Sequence, residues 1–340
     1  MNLNLTQPCV IACSATGGRH PIMLAILDVI ENEVLLPLKY EPLRIGSSGG
    51  TLSSIARTLT PPGETSEWWL EKAASVGGAA KVGGTRSLVN LWNLIVHGGL
   101  LNSKKLVPVI EYMVEGDHIN GKTAACMYSI TSGYEARVLL DQDALTPRQI
   151  AEFITASVSL QVAMSPTEIL NRSLPLWLQK KWDVLDHPDK YSACTDGGTG
   201  SYMPVSLRGL EWHVPKGTPV IGIALNLVGE AEYRPEGLVG SLFSGGSTFK
   251  KLFRSIWSLV GANATEDWEK AVQDNDVHPD ILLAIPTPEH LAKYELRLDT
   301  SFEEAMEMYE WGVEETRRRL ELPMPGTKGM TLKEYLKTLT

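Results

Sequence analysis

The sequence predicts one α/β domain with helices covering both faces of a sheet. Three observations carry that expectation. Short continuous apolar runs alternate with longer stretches of helical period, the pattern of buried strands joined by helical crossovers. Two of those runs pass through a glycine-rich turn straight into a helical stretch. Finally, 340 residues that are 43% hydrophobic suffice for one large core, and no internal repeat, low-complexity tract or linker divides them.

The elements follow in chain order. "PCVIACS" reads as a short buried strand and "PIMLAILDVIENE" as a helix with Pro21 in its first turn. "YEPLRIG" is the next strand, and "TLSSIARTL" the helix after it. Residues 61 to 85 open on "PPGETSEWW" and close on "VGGAAKVGG", a loop-rich region around a short helix. "RSLVNLWNLIV" and "KKLVPVIEYMV" read as helices, the second started or bent by Pro108. "AACMYSI" and "EARVLL" flank Ser132 and Gly133 as a hairpin. "LTPRQIAEFITASV" is a helix capped by Thr146 with Pro147 at its first position. "YSACT", "PVIGIAL" and "DILLAIP" are strands. In "SFEEAMEMYEWGVEETRRRL", Ser301 and Glu304 form a capping box, and Phe302, Met306, Tyr309 and Val313 recur on one face.

Composition excludes some functions. A net charge of −9 argues against a nucleic-acid partner, because nothing in the balance neutralises phosphates. Cys9, Cys13, Cys126 and Cys194 lack metal-ligand spacing and read as reduced thiols, although Cys9 and Cys13 are near enough in sequence to bridge. The N-terminus has no basic region, and no segment reaches 18 uninterrupted apolar residues. A soluble, cytoplasmic protein is expected.

Three stretches carry possible chemistry. In "RIGSSGGTLSS", Gly46, Ser48 and Gly50 fit G-x-S-x-G between a strand and a helix. A nucleophile elbow needs small residues two before and two after the serine, since backbone and helix approach too closely for a Cβ. The bland alternative is a Gly/Ser turn. In "SATGGRHPIMLAIL", Gly17 and Gly18 precede a helix and offer backbone N–H groups suited to an oxyanion or a phosphate. The spacing fits neither a dinucleotide fingerprint nor a nucleotide loop. In "YSACTDGGTGSYMPV", Asp196 ends an apolar run before Gly197 and Gly198, where an Asp-Gly turn is the ordinary reading.

Taken together and in this order, the three stretches resemble the patatin-like phospholipase family, whose motifs are G-G-G-x-[RK]-G, G-x-S-x-G and D-G-[GA]. "GGLLNSKKL", "ASVSLQVAMSP", "DILLAIPTP" and the last long helix resemble further family segments, so the likeness spans residues 8 to 320 of a single 1–340 domain. It implies a three-layer αβα fold with a central mixed, mostly parallel sheet. It implies Ser48 as nucleophile and Asp196 as base. The oxyanion hole would be formed around Gly17, Gly18, Arg19 and Gly49, with no cofactor or metal. The substrate class it implies is a phospholipid or other lipid acyl ester. Ala15 and Thr16 stand where the family has its first two glycines, and His20 where it has its last. Residues 166 to 190 are longer than the family's interval and read as an inserted lid or wall.

Two other readings stay open. One is a Ser-His-Asp esterase, with His213, His278 or His290 as base, each more simply a surface or capping residue. The other is a pseudoenzyme that binds lipid or a partner protein. Arg19 is either a solvent-facing arginine or a brace for the glycine loop. In residues 247 to 260, Phe249, Leu252, Phe253, Ile256 and Trp257 lie at helical spacing beside Lys250, Lys251 and Arg254. This stretch reads as a core helix with a basic side or as a peripheral membrane contact. No feature identifies an activating protein partner.

Overall fold

The computed structural model describes residues 9–75, 99–115, 119–159, 162–199, 204–205, 210, 213–215, 218–225, 282–285, 287–292, 294, 300–323 and 329–338. The expected helix at 86–96, the stretch 247–260 and His278 lie outside these residues.

The architecture is α/β, built on a mixed sheet. The strands are β1 (Val10–Cys13), β2 (Leu43–Ser47), β3 (Gly99–Leu101), β4 (Asn120–Ser129), β5 (Tyr134–Asp141), β6 (Val162–Met164), β7 (Thr167–Leu170), β8 (Tyr191–Asp196), β9 (Val220–Ala224) and β10 (Leu282–Ala284). The helices are α1 (His20–Val29), α2 (Gly49–Leu59), α3 (Glu67–Ser75), α4 (Val107–Val114), α5 (Pro147–Val158), α6 (Leu176–Lys181), α7 (Glu289–Ala292), α8 (Phe302–Leu320) and α9 (Leu332–Lys337). The main sheet runs β10-β9-β1-β2-β4-β8-β7, with β5 also paired to β4, while β3 and β6 form a separate parallel pair. From β10 to β4 every pairing is parallel, whereas β5, β8 and β7 join antiparallel.

The continuous apolar run of β1 is explained by burial on both faces. Ile11 and Cys13 pack with α1 residues such as Ile22 and Ile26. Val10 and Ala12 pack with Leu43, Ala124, Val205 and Leu210 on the other side. All four cysteines are buried and free. Cys9 and Cys13 lie on one extended segment, roughly 13 Å apart at strand rise, too far to bridge.

Local signals determine several helix starts. Thr146 and Gln149 form a capping box on α5, Ser301 and Glu304 one on α8, and Thr331 and Glu334 one on α9. The buried stripe of α8 differs from the expected one: Phe302 is exposed, and the inward face is Ala305, Met308, Tyr309, Gly312 and Thr316. Close approach to α1 is the reason. A Cβ on Gly312 would stand 2.8 Å from the Ala25 Cβ and 3.1 Å from the Ile22 carbonyl oxygen, so small residues replace the large ones there.

Residues 166–190 are integral to the sheet edge. Thr167–Leu170 pairs antiparallel with β8. The return through α6 buries Leu174, Leu178, Trp182 and Val184 against the core that contains Met127 and Cys194.

Candidate active site

Strand register brings Ser48 and Asp196 together. β5 pairs with β4 from Asn120 to Ser129 and so occupies one of its edges. The other edge is shared. β2 runs parallel along it from Thr123 to Cys126, where its last residue, Ser47, is paired. β8 runs antiparallel along the continuation, and its last residue, Asp196, pairs with Met127. Two strands therefore meet end to end at the Cys126–Met127 step. The residue leaving β2 is Ser48, and the residue ending β8 is Asp196. Gly197 turns the chain away directly over the Cys126 carbonyl, where a Cβ would overlap it and stand 2.9 Å from the Ser47 hydroxyl.

Ser48 sits on a strained turn. Its backbone lies at φ 54, ψ −127, a region that a residue with a Cβ rarely occupies and that costs on the order of 1–3 kcal/mol. The strain holds because the surroundings over-determine it. The Ser48 N–H donates to the Ser157 carbonyl at 3.1 Å, and its carbonyl accepts from the Thr51 N–H at 2.9 Å. α2 starts at Gly49, so the first N–H groups of α2 lack intrahelical acceptors. Gly46 and Gly50 leave no room for side chains: a Cβ on Gly50 would reach 2.5 Å from the Ser14 carbonyl oxygen, and one on Gly46 would overlap the Thr51 backbone. The elbow thus packs directly on the β1–α1 loop.

That loop is Ser14–Arg19. Thr16 has an ordinary extended-side φ of −124 and is followed by Gly17 at φ 57, where the missing Cβ is needed. Gly17–Arg19 forms a single 3₁₀ turn closed by the Arg19 N–H donating to the Thr16 carbonyl at 3.2 Å. The Arg19 amide is therefore committed to the turn, which leaves Gly17, Gly18 and Gly49 as the amide donors of the expected set. A Cβ on Gly49 would overlap the Thr16 hydroxyl and stand 2.6 Å from the Gly17 carbonyl oxygen and 3.3 Å from its nitrogen. The side chain of Arg19 is fully buried, not solvent-facing, and its Nη1 donates to Thr287 Oγ1 at 3.0 Å. Since Thr287 follows β10, Arg19 ties the glycine loop to that end of the sheet.

The Asp196 carboxylate is oriented and under-compensated. Oδ1 accepts from the Gly198 N–H at 2.7 Å, and the Asp196 N–H donates to the Ser159 carbonyl at 3.0 Å. Burial pushes the carboxyl up to about 7, and nearby Ser48 and the Gly198 N–H oppose that shift. The Ser48 hydroxyl is close enough to act on this charge, yet Oδ2 has no hydrogen-bond partner of good geometry. His20, the first residue of α1, is partly buried, and that desolvation pushes its imidazole down to about 4.

Sequence reasoning missed the clamp supplied by α5. Ser157 Oγ donates to the Cys126 carbonyl at 2.5 Å and lies 2.7 Å from Thr51 Oγ1, while its carbonyl holds the Ser48 N–H. Two residues on, the Ser159 carbonyl holds both the Asp196 N–H and the Thr195 hydroxyl, the latter at 2.7 Å. The end of one helix thus positions both strand ends. The only signal in "ASVS" is a run of small residues where the helix stops.

His213 and His290 are exposed, and among the described residues the side chain acting on the Asp196 carboxylate is Ser48. Among the described residues no group of three or more His, Cys, Asp or Glu is placed to hold a metal ion, and no helix is long and apolar enough to cross a membrane. No protein-family model matches the chain, and no curated protein matches it.

Proposed function

We propose that this protein is a serine hydrolase of the patatin-like type that cleaves carboxylic esters of lipids through a Ser48–Asp196 dyad. One observation carries the reading: Ser48 is held at a strained strand-to-helix turn beside a buried carboxylate whose Oδ2 is unclaimed. A strained backbone and an unpartnered buried oxygen at one place support a chemical role for the turn. The lipid acyl class rests on the sequence resemblance.

In the proposed reaction Ser48 is the nucleophile and Asp196 the base. Oδ2 of Asp196 takes the Ser48 proton as Oγ bonds to the ester carbonyl carbon and the carbonyl electron pair moves onto oxygen. The proposed oxyanion hole uses the amides of Gly17, Gly18 and Gly49, which begin the 3₁₀ turn and α2, and the first turn of α2 adds its partial positive charge. Collapse breaks the bond to the alcohol, which leaves with the proton from Asp196. Water then repeats the sequence on the acyl-serine and frees the acid. A carboxylate is a weak base for a hydroxyl, and its raised proton affinity narrows that gap.

The test is labelling by a fluorophosphonate together with hydrolysis of a short-chain aryl ester and a lysophospholipid. Wild type is expected to label and to hydrolyse both. Ser48→Ala and Asp196→Asn should each lower kcat by at least about 10³-fold with the fold retained. Retained activity in Asp196→Asn, with loss on replacing His213, His278 or His290, would replace the dyad by a triad. Hydrolysis of the aryl ester alone would keep the hydrolase and remove the lipid.

A further inference from the structure

The β1–α1 loop and the elbow contain four buried polar atoms without hydrogen-bond partners: Ser14 Oγ, Thr16 Oγ1, Ser47 Oγ and Asp196 Oδ2. Buried hydroxyls without partners are uncommon, because each has lost water and gained nothing. Their gathering at one place points to a ligand that supplies the missing bonds. Asp196 Oδ2 is accounted for by the serine proton. Thr16 Oγ1 is the one that lies against Gly49, the residue after Ser48.

Thr16 has no solvent exposure, and its hydroxyl lies against the α-carbon of Gly49, on the side where a Cβ would project. The Gly17 carbonyl oxygen is 2.6 Å and the Gly17 nitrogen 3.3 Å from that same projected position. The α-carbon of Gly49, the residue that follows the nucleophile, is therefore flanked by the Thr16 hydroxyl and by the Gly17 peptide groups. A threonine hydroxyl turns freely about its Cβ–Oγ bond, and nothing else claims this proton. The loop around it is fixed by the Arg19 N–H on the Thr16 carbonyl and by the elbow packed against it, so the donor is preorganised before substrate arrives.

We infer that Thr16 is a catalytic residue of the oxyanion hole, its hydroxyl donating a hydrogen bond to the oxyanion alongside the backbone amides. The threonine keeps its proton throughout, and the bond strengthens as charge moves onto the carbonyl oxygen. This role rests on the dyad reading above. It also gives a purpose to a side chain in a loop that otherwise works through glycine amides.

The test is the isosteric pair Thr16→Val and Thr16→Ser, with Ser48→Ala measured beside them on the short-chain aryl ester. Thr16→Val replaces an unpartnered hydroxyl by a methyl, so the melting temperature should hold or rise. Its kcat should fall about 10²-fold, the usual effect of losing one oxyanion donor, with KM within about threefold of wild type. Phosphonylation of Ser48 by a fluorophosphonate, which places a P–O group in the same hole, should slow in parallel. Thr16→Ser restores the hydroxyl and should recover most of kcat. Thr16→Val with kcat within twofold of wild type overturns the role while Ser48→Ala remains inactive, which leaves the dyad standing. A Thr16→Ser variant as slow as Thr16→Val also overturns it, since the defect would then be one of packing. A Ser48→Ala variant as active as wild type overturns both readings together.

Discussion

The same three elements, β2, α1 and α2, carry a buried polar cluster at each end, and the two clusters are built on opposite rules. At the start of β2, Arg44 is fully engaged: Nε donates to Glu31 Oε1 at 2.7 Å, Nη2 to Glu31 Oε2, and Nη1 to Thr58 at 3.1 Å. From the end of α2, Arg57 reaches Glu31 at 3.0 Å, Asn32 at 2.9 Å and the Glu64 carbonyl at 3.1 Å. Asp28 accepts from the Ser66 N–H and hydroxyl, both at 2.7 Å, and from Tyr309 at 2.6 Å. Burial raises the Asp28 carboxyl as well, but there Arg57, Tyr309 and Ser66 all pull the other way. At the finish of β2 the opposite holds. Asp196 is as buried, its burial is opposed among the described residues by Ser48 and one amide, and the hydroxyls of Ser14, Thr16 and Ser47 lack partners. A cluster whose bonds are complete serves the fold. The incomplete cluster is the one the proposed function draws on.

The largest test of that contrast exchanges one residue at each end. Arg44→Met leaves the Glu31 carboxylate buried with a lost partner, which costs about 3–5 kcal/mol in denaturant unfolding. Turnover per folded molecule should stay near wild type. Asp196→Asn should do the reverse, abolishing turnover while holding or raising stability at pH 8. If Asp196→Asn unfolds the protein and Arg44→Met does not, the assignment of the two clusters is inverted.

A finer test uses pH. The folded Asp196 carboxyl holds its proton up to about 7, whereas an unfolded aspartate releases it near 3.8. Between these values the native state binds the extra proton, so stability falls as pH rises through the window and levels off above it. Against Asp196→Asn, which has no such group, wild type should lose up to about 4 kcal/mol between pH 4 and pH 8. The activity runs the other way. With Asp196 as the base of the proposed dyad, the carboxylate must be ionised, so kcat/KM should drop about tenfold per unit below pH 7 and be flat above it. A profile with its midpoint near 4 would mean that the carboxylate is well solvated in solution.

Much of this was legible in the sequence, for reasons that differ by element. Thr146 and Ser301 mark helix starts because a cap and its partner lie three residues apart, so all the chemistry is local. Ser48 and Asp196 stand out because an elbow and an Asp-Gly turn leave small residues in a row. The strands β3 and β6, at three residues each, are too short to carry a period. The end-to-end meeting of β2 and β8 along β4 was not legible, because register is set by partners more than sixty residues away. Nor was the inward face of α8, where the partner's close approach at Ala25 decides which residues fit.

The smallest expected effect concerns α5, whose two ends differ in the same way as the two clusters. Its start is closed by Thr146, which accepts from the Gln149 N–H and whose own N–H donates to the Gln149 side chain at 2.9 Å. Its finish holds Ser48 through Ser157 and Asp196 through Ser159. Eleven residues separate Thr146 from Ser157, roughly 16 Å along the axis. Thr146→Ala should therefore remove about 1 kcal/mol of stability, the ordinary worth of an N-cap, and fray only the first turn. The buried face of α5, with Ile150, Phe153 and Ile154 in the core, keeps the rest of the helix in place. The unfolding midpoint in urea should shift while kcat on the aryl ester stays within twofold of wild type. A fall in kcat larger than the stability loss explains would mean that α5 transmits strain along its length, and that its far end helps to hold the φ of Ser48.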